Sequence, residues 1–189
     1  MGLILSTGTK KHALDQRKDD LYETPSIATE ALLSAIKLPH HIWEPACGPG
    51  AIVTVLRRAG HDVMASDLVS YGCPGSEAGV DFLMTYKPPF SREWAIVTNP
   101  PFKLATEFAI HALNLAPKVY MLLRLAFLES ERRSEILDGG KLSKVMVFRR
   151  RLPMMHRDGW EGPRASSAMA FAWFCWDAAH NGPAELTRI

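Results

Sequence analysis

The stretch Ala170-Phe171-Ala172-Trp173-Phe174-Cys175-Trp176 is apolar throughout. A strand with one wet face alternates apolar and polar residues, so an unbroken apolar strand must be covered on both faces, with helices above and below its sheet. The rest of the chain supplies the pieces. A helix comes first, strands and helices then alternate, and a strand pair ends the order, which predicts a doubly wound, mostly parallel α/β sheet. The 189 residues, 47% of them hydrophobic, suffice for one domain with a sizeable core, taken as 21–189 behind a loose, polar arm at 1–20.

Within that frame Ile96-Val97-Thr98-Asn99-Pro100-Pro101-Phe102 is the most constrained turn. Neither proline can donate a ladder hydrogen bond and each fixes its own φ, so a strand starting near Trp94 must end at Asn99 and pass into a stiff loop. Such a loop holds the Asn99 amide, the Pro100 carbonyl and the Phe102 ring in fixed relation just past a strand's carboxyl end, where α/β sheets bind ligands. Two oxygens and a ring suit a flat substrate that carries an amino group.

The second marked stretch is Ile42-Trp43-Glu44-Pro45-Ala46-Cys47-Gly48-Pro49-Gly50, a strand turning through two glycines into a helix from Ala51 to Ala59. Gly48 and Gly50 let backbone approach a ligand, and the helix offers free N–H groups beside it. A dinucleotide fingerprint needs a third glycine where Val53 stands. A carboxylate at Glu44 would also repel a pyrophosphate, whereas it accepts hydrogen bonds from a cationic ammonium group. The next strand, from His61, is closed by Asp67, 17 residues beyond Gly50. A carboxylate there either holds ribose hydroxyls or caps the following turn. Residues 68–79 read as a loop, and Val80 to Leu83 as a short strand or turn.

Together these motifs resemble the class I S-adenosylmethionine-dependent amino-methyltransferases of the Asn-Pro-Pro-aromatic type. They are similar to the small phage and prophage enzymes usually taken to methylate adenine N6 in DNA. The resemblance runs from about Tyr22 to Trp176. It implies a Rossmann-like fold with a seven-stranded sheet whose last strand is antiparallel, and S-adenosylmethionine as cofactor. The implied catalytic residues are Asn99, Pro100, Pro101 and Phe102. Implied cofactor contacts are Tyr22, Thr24 and Pro25 at the methionine end, and Glu44, Pro45, Ala46, Cys47, Gly48 and Gly50 in the glycine loop. Asp67 and Leu68 follow at the ribose, Asp81 and Phe82 at the adenine, and Asn99 where donor and acceptor meet. Thr24 has a second reading as the cap of a helix begun by Pro25 and buried through Ile27, Ala31, Leu32 and Ala35. Asp81 has a second reading as a solvent-facing carboxylate. No segment resembles a separate target-recognition domain.

Charge bears on the substrate. Lys and Arg number 22 against 20 acids, so any basic surface must be local. Seven of the basic residues and two acids fall between Lys141 and Arg164. Arg149, Arg150, Arg151, His156 and Trp160 in this run mix cations with aromatics, as phosphate contact and base stacking require; a solvated basic face is the plainer reading. DNA is the expected partner, with RNA bases, protein glutamine, or a catalytically silent nucleic-acid-binding module as alternatives. The three cysteines, Cys47, Cys73 and Cys175, are odd in number and widely spaced, which speaks against a disulfide framework or a zinc site and for a reducing, cytoplasmic setting without a metal. Nothing near Cys47 or Cys73 in sequence marks either as a nucleophile. No apolar run approaches membrane-spanning length.

Overall fold

The computed structural model describes residues 22–153, 155–156 and 169–189. The arm at 1–20 and Trp160 lie outside the described residues, and the side chains of Tyr22 and His156 are likewise not described.

The strands are β1 (Tyr22–Glu23), β2 (His41–Glu44), β3 (Asp62–Asp67), β4 (Ser76–Ala78), β5 (Trp94–Thr98), β6 (Lys118–Arg124), β7 (Leu142–Val147), β8 (Met155–His156), β9 (Phe171–Asp177) and β10 (Glu185–Arg188). The helices are α1 (Ser26–Ala35), α2 (Ala51–Arg58), α3 (Ala105–Leu115) and α4 (Ser134–Asp138). Eight strands form one sheet in the order β10-β7-β9-β6-β5-β2-β3-β4, and β1 with β8 forms a separate two-stranded ribbon. All neighbours in the large sheet are parallel except β9, which runs antiparallel to both β6 and β7.

The sheet therefore has one strand more than the seven expected. The antiparallel strand is β9, as the sequence indicates, but the short β10 follows it and returns parallel to β7. At the other edge β4 forms inside the stretch read as a loop, where three residues pair with Ala65 to Asp67. Strands of three or four half-exposed residues carry no apolar pattern to announce them.

The double cover is visible residue by residue. Along β9, Phe171, Trp173 and Cys175 join one core with α1 and α2, while Ala172, Phe174 and Trp176 join the other with α3 and α4. The same alternation holds in β5, where Ala95 and Val97 face the first core and Ile96 the second, and in β6 from Val119 to Leu123. Buried tryptophans also spend their one polar atom on tethering these layers. Trp173 Nε1 donates to the Ala28 carbonyl of α1 at 2.8 Å, Trp176 Nε1 to the Ile136 carbonyl of α4 at 2.8 Å, and Trp43 Nε1 to Ser66 Oγ at 2.9 Å. Helix α1 is turned slightly from its expected face: Ala28, Thr29 and Leu32 are buried, while Ile27 is exposed.

Trp173→Phe removes the donor to Ala28 while keeping most of the apolar surface, so the loss isolates the tether between β9 and α1. We expect a cost of about 1–3 kcal/mol, the usual penalty for leaving a buried polar partner unsatisfied, read as a lower urea midpoint with an unchanged slope.

Candidate functional site

Chain order reverses between β2 and β5. From β2 the chain moves outward to β3 and β4, then returns to the opposite side of β2 as β5 and continues to β6. The loops leaving β2 and β5 thus part at their carboxyl ends and leave a crevice, as open α/β sheets do at such a switch point. A cleft of about 200 Å3 lies there. Its walls come from both marked stretches of sequence: Glu44 to Pro49 on one side, and Asn99, Pro100, Pro101 and Phe102 on the other.

On the first side, Gly48 takes a positive φ of 52° and its N–H donates to Asp67 Oδ2 at 2.8 Å. The other oxygen, Asp67 Oδ1, accepts from the Val69 N–H at 3.2 Å. These bonds lock the carboxylate at the end of β3, and each oxygen retains a further lone pair for a hydroxyl. Gly50 serves another purpose than close approach to a ligand. It does not line the cleft; it sits in the left-handed region at φ 93°, and a Cβ on it would lie 2.7 Å from Cys73 Sγ. Cys47 does line the cleft, but burial above all, with the Cys73, Glu44 and Asp67 side chains nearby, pushes its thiol up to about 12. It is a neutral thiol, unsuited to attack.

Glu44 is fully buried at the cleft floor. Oε1 accepts from the Ala46 N–H at 3.3 Å, while Oε2 makes no hydrogen bond among the described residues. Burial raises this carboxyl from 4.5 to about 8; the nearby Thr98 hydroxyl and the Ala46 amide pull the other way, and the Asp67 carboxylate adds a smaller push upward. At neutral pH the ligand-free protein therefore holds Glu44 mostly as the neutral acid.

On the second side, the Asn99 amide is oriented by a residue 75 positions earlier: Asn99 Nδ2 donates to Thr24 Oγ1 at 3.0 Å. Thr24 is accordingly not the helix cap that its position before Pro25 suggests. Pro25 occupies the cap position of α1, with no side-chain bond to the helix, and Thr24 is buried beside the cleft. Pro25 itself is outside the lining. The Phe102 ring is covered on one face by the Arg124 guanidinium, its Cζ 4.2 Å from the ring centroid, and lies 5.7 Å from the Phe171 ring. Sequence reading passed over Arg124, since it ends a strand whose apolar run drew the attention.

The third wall is the segment before β5. Asp81 is exposed and caps a short 3-10 turn over Phe82–Met84 by accepting from the Leu83 N–H at 3.0 Å. Phe82 belongs chiefly to the core, packed edge-on to Trp43 at 5.2 Å and against Phe108 at 4.8 Å. Leu68 lines the cleft and is exposed. Tyr71, Val80, Leu83 and Leu104 also line it and were not singled out from sequence, because no local motif marks them.

The basic run is split by the fold. Arg149, Arg150 and Arg151 are exposed just past β7, which points the same way as β6, so they emerge at the same sheet edge as the cleft. Arg149 is partly engaged with the chain's end: its N–H donates to the Ile189 carbonyl at 2.8 Å and Nη2 to the Arg188 carbonyl at 3.3 Å. Beyond a buried Leu152 the segment crosses to β8 and pairs with β1, placing His156 opposite Tyr22 in register.

A carboxyl whose folded value lies above its unfolded one stabilises most below the unfolded value and loses that contribution as pH rises toward the folded value. For Glu44 the window runs from 4.5 to about 8. Glu44→Gln, a neutral isostere, should therefore match the ligand-free wild type in thermal midpoint at the acid end. It should become the more stable protein toward the alkaline end, by an amount on the order of a few kcal/mol. An unchanged difference in midpoint across the window would refute the assigned burial of charge.

No protein-family model matches the sequence, and no curated protein sequence matches it. Solved structures do resemble it. A candidate RNA methyltransferase from Pyrococcus horikoshii superposes with a TM-score of 0.62 at 12% identity, over 82% of this chain and 85% of that one. The modification subunit of a candidate type I restriction enzyme from Vibrio vulnificus YJ016 gives 0.58 at 13% identity, over 93% of this chain and 48% of that longer one. A candidate haemolysin from Lactococcus lactis gives 0.59 at 9% identity, over 86% and 89%. At such identities the likeness speaks to architecture, and the chain has the Rossmann-like α/β fold that methyltransferases share.

Proposed function

We propose that this chain is an S-adenosylmethionine-dependent N-methyltransferase acting on an exocyclic amino nitrogen, with adenine N6 in DNA as the first-choice acceptor. The observation that carries the reading is that the glycine-loop corner and the Asn-Pro-Pro-Phe corner, 49 to 58 residues apart in sequence at their nearest and farthest members, wall one cleft at the switch point. Residues 21–189 would act as one catalytic unit.

The donor-side residues fit the cofactor. Glu44 Oε2 is a buried oxygen with no partner among the described residues, and it lines the cleft, so it can accept from an ammonium group. Binding a cation there favours the ionised carboxylate, and the proton leaves to solvent. Asp67, held by the Gly48 and Val69 N–H groups, would take the ribose hydroxyls. Asp81 and Leu68 would meet the adenine, Phe82 only through its edge, and Thr24 with Tyr22 would flank the methionine end. When bound, S-adenosylmethionine supplies an electrophilic methyl group on a cationic sulfur.

On the acceptor side, the Thr24 bond to Asn99 Nδ2 turns the amide so that its oxygen can accept an N–H of the incoming amine. The Pro100 carbonyl would accept the second. Two such bonds draw the nitrogen lone pair out of conjugation with the ring and hold it toward the donor. Phe102 would stack on the base through the face opposite Arg124. The amine proton then departs to water, and no enzyme nucleophile takes part, in keeping with the neutral Cys47 thiol. A base in duplex DNA must first be flipped out, at a cost of a few kcal/mol. Cations at Arg149, Arg150 and Arg151 would help offset this by holding phosphates, with His156 and Trp160 stacking on bases.

Incubation with a tritiated methyl donor and DNA, RNA or protein in turn tests the reading; label in DNA adenine is expected, and no transfer to any of the three overturns it. Asn99→Ala should reduce transfer at least about 100-fold, as removal of a transition-state donor or acceptor does, while calorimetry with S-adenosylhomocysteine shows affinity within a few-fold of wild type. Equal loss of binding and turnover would count against the assigned role of Asn99. Arg150→Glu should weaken binding to DNA and flatten its salt dependence without altering cofactor affinity. If DNA binding stays the same, the basic run is a solvated surface.

A further inference from the structure

Arg124 lies behind the acceptor side of the cleft, against the lining residue Phe102, and carries a charge that no carboxylate among the described residues pairs with. It ends β6, directly beside β5, and its backbone is pinned on both sides: it pairs with Phe171 of β9, and the next residue, Leu125, donates its N–H to the Ala170 carbonyl at 2.8 Å. The guanidinium lies over the Phe102 ring, with Cζ 4.2 Å from its centroid, and the residue is half-buried. Its Nε is enclosed by protein yet makes no hydrogen bond among the described residues, and no carboxylate among them forms a salt bridge with it.

A guanidinium is charged at every relevant pH, and leaving even its Nε–H desolvated without an acceptor is costly. Stacking on Phe102 recovers part of that cost but satisfies no donor, because a ring face is a weak acceptor. Other cations in the chain show how such a group is normally satisfied. Arg133 also lies on a ring, that of Phe127, but donates to Thr106 Oγ1 and to the Phe127 carbonyl. Arg57 donates to the Pro74 and Val63 carbonyls. Arg124 differs in that its two terminal nitrogens, which are not enclosed as Nε is, have no acceptor among the described residues, which leaves that end of the fork for a ligand. A fork of parallel N–H bonds matches a phosphate or carboxylate.

We propose that Arg124 is an anion-binding residue for the substrate, and that the group it takes is a backbone phosphate next to the target nucleotide. This rests on the N-methyltransferase reading above and adds to its nucleic-acid acceptor a phosphate contact beside the target base, apart from the arginines past β7. The phosphodiester follows from the proposed pose: a base held at Asn99 and Pro100 would be separated from Arg124 by the Phe102 ring, which leaves the strand that carries the base as the nearer anion. Arg124 and Arg149–Arg151 then contact the same polyanion at separate points along the sheet edge. Strand order puts β9 between β7 and β6, a separation of roughly 10 Å at ordinary strand spacing.

The test is fluorescence anisotropy of wild type, Arg124→Gln and Arg124→Lys with a labelled, adenine-containing single-stranded DNA oligonucleotide across a salt series, paired with calorimetry for S-adenosylhomocysteine. Arg124→Gln should weaken oligonucleotide binding about tenfold and lower the salt slope by about one. Arg124→Lys should keep the slope but lose part of the affinity, because an ammonium is a point charge that cannot fork. Unchanged cofactor affinity in both variants shows that the cleft is intact. If Arg124→Gln binds the oligonucleotide like wild type, with the same slope, and only its turnover falls, Arg124 merely supports Phe102 and the proposal is overturned while the N-methyltransferase reading stands. If wild type binds S-adenosylhomocysteine but neither binds the oligonucleotide nor methylates it, the nucleic-acid assignment falls with the phosphate site.

Discussion

Central strands buried on both faces leave a chain very few places for polar chemistry. In β5 every residue from Trp94 to Thr98 is buried, and in β9 every residue from Phe171 to Trp176. A charged or amide side chain within those runs would have to lose its water on either face, so such groups accumulate where the strands stop. Glu44 ends β2, Asp67 ends β3, Asn99 follows β5 and Arg124 ends β6. Four strands that point one way deliver four polar ends to one edge, and the reversal of chain order between β2 and β5 opens the gap that Glu44, Asp67 and Asn99 line. The site is thus a by-product of the same burial that holds the sheet between its two helical layers.

Charge within that edge is segregated. Glu44 and Asp67 lie on the β2–β3 side of the gap, and Arg124 with the arginines past β7 lies on the β6–β7 side. Under the proposed function, the buried acid and the locked carboxylate at Asp67 would meet the cationic donor on one side, and the arginines along the other side of the edge would meet the nucleic acid.

Much of this was legible beforehand, because backbone rules operate over short spans. The double proline after Asn99, the two glycines after Glu44 and the unbroken apolar run at 170–176 each dictate local geometry without help from the rest of the chain. What escaped depends on distant partners. Gly50 looked like a residue that clears room for a ligand, but the atom it clears room for is Cys73 Sγ, brought close only when β3 and the turn after it are in place. Thr24 looked like a helix cap until Asn99 arrived as its partner. Arg124 reads as the polar full stop of a hydrophobic strand, and its contact with Phe102 depends on β5 and β6 lying side by side. The edge strands β4 and β10 were missed for a different reason: they gain their order from backbone pairing with a finished sheet, and short half-wet segments need no pattern of their own for that.

The bond between Thr24 and Asn99 ties the segment before the first helix to the loop after β5. Asn99 can be fixed at the end of its strand by the two prolines alone, yet the rotation of its amide group is governed from elsewhere. Assembly of the sheet and readiness of the amide are consequently separable events. A polypeptide could complete β5 and its proline loop before the leading segment, itself paired through the ribbon of β1 with β8, brings the Thr24 hydroxyl to the amide.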